Sequence, residues 1–173
     1  MLKAKFNKGF TLIELSIAVF VLAVGISGML ALINRLVISG TQIQQQLIAS
    51  GLAQEGIEVT HNIRNTNWIQ DKDWNEGLDK SGCSTSPLDT SNCPILATVN
   101  FDSSSISENS DPDDWELPWD GSNYKHSSGG IFSRHLEISY DSDDDGDIFM
   151  RVKSIVDWRG KSFETEELLY DWE

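Results

Sequence analysis

Proline is absent from the first 86 residues, and the four in this 173-residue chain are Pro87, Pro94, Pro112 and Pro118. No proline therefore removes a backbone donor from a helix in the N-terminal half. Basic side chains are also scarce, 13 Lys and Arg against 27 Asp and Glu, for a formal net charge of -14. Binding to a phosphate backbone needs Lys and Arg to displace counterions, so direct nucleic-acid binding is not expected. Histidine occurs only as His61, His126 and His135, in segments that read as helix, loop and strand. No Cys–His or Ser–His–Asp spacing stands out, and there is no phosphate-binding glycine loop, so the chain reads as a non-enzyme. Its length suits one modest core plus extras.

What the chain does have is a long apolar run, residues 10–33, FTLIELSIAVFVLAVGISGMLALI, with Glu14 as its one charge. At about 1.5 Å per residue such a helix spans roughly 36 Å, enough for the ~30 Å hydrocarbon core of a bilayer. An ordinary signal peptide has a shorter apolar run, of about 7–15 residues, and a small-residue cleavage site after it. Here the chain that follows keeps its helix-forming residues. Lys3, Lys5 and Lys8 precede the run and only Arg35 follows closely, which places the N-terminus in the cytoplasm and the rest outside. Without those three lysines, 10 basic residues remain against 27 acidic ones. Glu14 is costly in lipid, by about 2.5–3.5 kcal/mol at a helix centre and less near the interface, and so calls for a cationic partner. Cleavage after Gly9 would create one, the α-amino group of Phe10 on a neighbouring copy.

Lys8-Gly9-Phe10-Thr11-Leu12-Ile13-Glu14 resembles, residue for residue, the cleavage and methylation site of type IV prepilins and type II secretion pseudopilins. The resemblance implies cleavage after Gly9 by a prepilin peptidase and N-methylation of Phe10. It also implies that Glu14 helps register the incoming subunit against its neighbour in the filament, with other pilin or pseudopilin subunits and an inner-membrane assembly platform as partners. The implied location is a single span of the bacterial inner membrane with an exported C-terminal domain, then an extracellular or periplasmic filament. Val21-Leu22-Ala23-Val24-Gly25-Ile26-Ser27-Gly28 is similar to the V-L-x-x-G-x-x-G pattern of minor pilins and minor pseudopilins. Many major pilins carry a proline in this segment, and this chain has none. A run in Gly51–Trp68, A-x-E-G-I-E…R-N-x-x-W, also resembles minor pilin-like proteins.

The expected organisation is a basic leader, 1–9, then the membrane half of a helix, 10–33, then its amphipathic half, 34–66, and an exported domain, 67–173. Leu36, Ile43, Leu47, Ile48, Leu52, Val59 and Ile63 form a drifting apolar stripe expected to pack on a small sheet. Gly40, Gly51 and Gly56 are read as weak points of about 1 kcal/mol each relative to Ala. Residues 69–130, rich in Asp, Ser, Asn and Gly, read as long loops with one or two short elements. Strands are expected at Phe132–Tyr140, Ile148–Trp158 and Phe163–Trp172, joined by short turns. The predicted fold class is α+β, pilin-like, with one long N-terminal helix on a small antiparallel sheet.

On this topology Cys83 and Cys93 lie outside the membrane, where loop cysteines are commonly paired. Closing the 11-residue loop between them would stabilise the fold by roughly 3 kcal/mol in the chain-entropy model. Asp141-Ser142-Asp143-Asp144-Asp145-Gly146-Asp147 fits two readings. It matches the first half of a calcium loop, with Asp141, Asp143, Asp145 and Asp147 as ligands, although Val152 stands where the bidentate glutamate belongs. It also matches a solvated hairpin turn. Ca2+ is the only cofactor that the sequence suggests. Trp115 and Trp119, in DPDDWELPWD, fit either anchors that pin a loop or a sugar-binding site. Two functions follow, a structural minor pilin or pseudopilin, and a tip-exposed adhesin or cargo-binding subunit that uses the acidic, Trp-bearing loops.

Overall fold

A computed structural model of the protein describes residues 9, 11–78, 95–143 and 146–171. The chain divides into two compact units, Met1–Gln44 and Gln45–Glu173. One helix, α1 (Leu12–Ile69), begins in the first and ends in the second. The rest of the second unit is β1 (Ile95–Thr98), β2 (Ser107–Glu108), a 3-10 turn (Pro112–Trp115), β3 (Glu116–Leu117), β4 (Phe132–Ser142), β5 (Ile148–Trp158) and β6 (Lys161–Tyr170). The six strands form one sheet in the order β2-β1-β4-β5-β6, with β3 also paired to β4, and every pairing is antiparallel. The α+β expectation holds.

Local chemistry explains the ends. Thr11 caps α1, its Oγ1 accepting from the Glu14 N–H at 3.3 Å, and Glu14 puts an acid in the first turn, where the helix dipole favours it. The β5–β6 hairpin turns on Arg159 (φ 47°) and Gly160 (φ 73°), with Trp158 opposite Lys161. Two successive positive φ angles give the two-residue turn whose twist matches the strands. For that reason β6 starts at Lys161, two residues before the alternation in the sequence suggests. Residues 95–98, within the stretch read as loop-rich, supply β1, and Ile95 and Ala97 enter the core.

The core of the second unit lies between the C-terminal part of α1 and one face of the sheet. Ile57, Val59 and Ile63 pack with Leu136, Ile138 and Val152, while Ala49, Leu52 and Ala53 pack with Leu117, Phe132 and Trp158. The helical seat differs from the predicted stripe. Leu36, Ile43 and Leu47 are exposed, and the buried face is instead built from small residues, Ala49, Ala53, Gly56 and Thr60, alongside Leu52, Val59 and Ile63. Gly56 is a point of closest approach, not a weak point. A methyl group there would sit 2.6 Å from Ser154 Oγ and 3.2 Å from Leu136 Cδ2.

Candidate functional site

The N-terminal segment is apolar on every side. From Leu12 to Ile33 its large hydrophobic side chains are all exposed within the first unit, and this is the one described helix long and apolar enough to cross a membrane. Its hydroxyls are satisfied by the helix itself, with Ser16 Oγ donating to Leu12 O at 2.9 Å and Ser27 Oγ to Ala23 O at 2.8 Å. Internal pairing of this kind is what lipid demands of polar groups. Glu14 is the single ionisable side chain of the run. Gly9 is exposed, while Lys8 and Phe10 lie outside the described residues, as do Cys83, Cys93 and Asp145.

In the second unit the most demanding group is Arg134, fully buried on β4. Its Nη1 donates to Leu52 O at 2.7 Å and to Glu55 Oε1 at 2.9 Å, and its Nη2 donates to Val99 O at 2.6 Å. One guanidinium thus ties helix α1 to β4 and to the residue that follows β1. Burial pushes its pKa down and Glu55 opposes this, leaving a charge that the buried site tolerates because of its partners. Glu55 and Gly56 explain the A-x-E-G-I-E run: the acid clamps Arg134, the glycine lets the helix approach the sheet, and Ile57 fills the core.

Two histidines sit close to this clamp. Burial, with Arg134 adding to the effect, pushes His126 down to about 4, against the pull of the Val99, Asp114 and Trp115 backbone. Burial also lowers His135, opposed by Glu137 and Asp157. Both are neutral in the fold, whereas the unfolded chain protonates them near pH 6.5. Stability is therefore fully present above pH 6.5 and falls as pH drops from there towards 4. We expect acidification from pH 7 to pH 4.5 to remove up to about 2 kcal/mol, discounted for the partial exposure of His126. Thermal unfolding of the wild type and of His126→Gln measures it: the variant should show a shallower pH dependence, and identical slopes would refute the assignment.

Trp115 is an anchor. It stacks on His135 with ring centroids 4.0 Å apart, and its indole N–H donates to Asn109 O at 3.0 Å. Trp119 is 56% exposed and leans on Tyr124. In the acidic turn, Asp143 Oδ1 accepts from Asp147 N–H at 2.9 Å, and Asp143 N–H donates to Asp147 O at 3.0 Å. Asp141 meets Arg151 at 3.4 Å. Among the described residues no three His, Cys, Asp or Glu side chains gather where they could hold a metal ion.

Residues 5–30 match the model of the prokaryotic N-terminal methylation motif. No curated protein and no solved structure matches the chain. An N-terminal methylation motif leading into a long apolar helix, together with a small antiparallel sheet that packs on the C-terminal part of that helix, supports a type IV pilin or pseudopilin. The motif implies processing by prepilin peptidase and assembly with other pilin subunits, and the apolar helix fits a single-pass inner-membrane anchor.

Proposed function

We propose that this chain is a minor pilin or minor pseudopilin, a filament subunit cut after Gly9, N-methylated on Phe10 and registered by Glu14. The observation that carries the reading is Lys8-Gly9-Phe10-Thr11-Leu12-Ile13-Glu14 running straight into an apolar helix whose one charge is Glu14. The V-L-x-x-G-x-x-G pattern and the lack of proline before Pro87 support the minor over the major subunit. Quantitative peptide counting in sheared filaments tests it. The chain should be a small fraction of total subunit, and its deletion should reduce filament number. Abundance equal to that of the predominant subunit would contradict the reading.

The exported domain is proposed to be stapled by Cys83 and Cys93. Non-reducing peptide mapping of exported protein is expected to recover the two as one linked peptide. Recovery of both as free thiols would refute the pairing. Exposed Trp119 favours a second reading, in which the Trp-bearing loops contact cargo or a surface.

A further inference from the structure

Helix α1 ends in an aromatic pocket of about 200 Å³, lined by Arg64, Asn65, Trp68, Trp74, Tyr170 and Asp171. We propose that this pocket binds one neutral pyranose ring of a glycan, stacked on Trp68. This goes beyond both readings above, at a site that Trp119 does not line, and does not depend on the minor-subunit assignment.

The walls are held in place before any ligand arrives. Asn67 Nδ2 donates to Trp74 O at 3.3 Å and to Glu76 O at 2.7 Å, which fastens the loop carrying Trp74 to the last turns of α1. Trp74 meets Tyr140 edge-on at 6.3 Å, and Asn75 Nδ2 donates to the Tyr140 hydroxyl at 3.0 Å. Tyr170 leans on Phe149 at 5.3 Å. Trp68 is the exception: it is 70% exposed, so its indole does little for the core and is available as a platform. Arg64 and Trp68 are four residues apart on α1, which puts both on one helical face.

The rim selects the ligand. Arg64 bonds Asn65 Oδ1 through Nε at 3.3 Å and Nη2 at 3.1 Å, so cation and amide form one unit at the mouth. Asp171, an acidic residue, lines the same pocket. An anion would meet Asp171 and a cation would meet Arg64, whereas an uncharged ligand with both donors and acceptors meets neither penalty. A sugar ring has such hydroxyls at its edge and an apolar C–H face to lay on the indole, the usual division of labour in small-ligand sites. The volume is below the roughly 300 Å³ at which pockets begin to hold drug-sized ligands, which limits the occupant to a single ring.

The full chain, held in a detergent without a sugar headgroup, tests this by saturation-transfer NMR against cellobiose, lactose and N,N′-diacetylchitobiose. We expect transfer to the ring C–H protons of at least one of the three. Trp68→Ala should weaken binding by about tenfold, and Ile131→Ala, at an exposed apolar side chain that does not line the pocket, should leave it unchanged. The melting temperature of both variants should match wild type, since both side chains are exposed. Absence of transfer to all three sugars, or equal transfer in Trp68→Ala, overturns the proposal. If Trp68→Ala lowers filament incorporation while no sugar binds, the pocket is a protein contact and the glycan assignment is wrong. The sugar measurement uses no filament, so its failure is separate from failure of the minor-subunit reading.

Discussion

Glu14→Val chains are expected to insert into the membrane and to be cleaved, yet to be under-represented in filaments by about tenfold or more. The effects of the substitution differ in sign. Removing a carboxylate from an apolar run favours insertion. The helix start survives, because Thr11 Oγ1 accepts from the Glu14 backbone N–H and not from its side chain, leaving only the dipole contribution of about 0.3–1 kcal/mol to be lost. The scissile bond and Gly9 are unchanged, so processing continues. What disappears is the anion for a neighbour's Phe10 amino group, and charge-assisted hydrogen bonds contribute about 1.5–3 kcal/mol, or roughly ten- to a hundredfold in an equilibrium. Recovery of tagged subunit in sheared filaments, with cleavage followed by gel mobility, reads both arms. Cleaved Glu14→Val that incorporates as well as wild type would remove the assembly role of this residue.

Arg134→Ala is expected to destabilise the second unit by about 3–5 kcal/mol, a large share of the roughly 5–15 kcal/mol that holds a domain together. The variant leaves the Val99 carbonyl without its buried donor and a cavity the size of a guanidinium stem between α1 and β4. The Leu52 carbonyl keeps its place in the helix, and Glu55→Gln, which keeps the volume and an amide oxygen to accept from Nη1, should cost less, although it removes the counter-charge of the buried guanidinium. Arg134→Met, which restores most of the volume, should fall between the two. Denaturant unfolding orders the three variants. A loss below 1 kcal/mol for Arg134→Ala would show that the clamp is incidental.

Legibility differed from one part of the chain to another for a physical reason. The N-terminal segment is governed by local chemistry, a methylation motif and a bilayer-length apolar run, and both can be read without knowing what lies beside them. β4 and β5 were legible through alternation, and their starts at Phe132 and Ile148 and the β5 end at Trp158 agree with expectation. The helical seat was not legible. Its residues are small because the sheet comes close, and nothing near Gly56 in sequence announces that Ser154 and Leu136 will face it. Large apolar residues such as Leu36 and Leu47 therefore drew the stripe to the wrong place. Arg134 did leave a signal, since it falls in register with Phe132, Leu136 and Ile138, on the apolar side of the strand. A charge at such a position needs partners, and Leu52, Glu55 and Val99, all far off in sequence, supply them. β1 and the pocket at the end of α1 are likewise assembled from distant segments.

The central claim is that this chain becomes a filament subunit by losing its leader at one bond. Intact mass and N-terminal peptide sequencing of the membrane or filament form test it most directly. The account predicts a 164-residue chain that begins at Phe10 and carries one methyl group on its α-nitrogen. A mature protein that still begins at Met1, or one cut anywhere other than between Gly9 and Phe10, would contradict it.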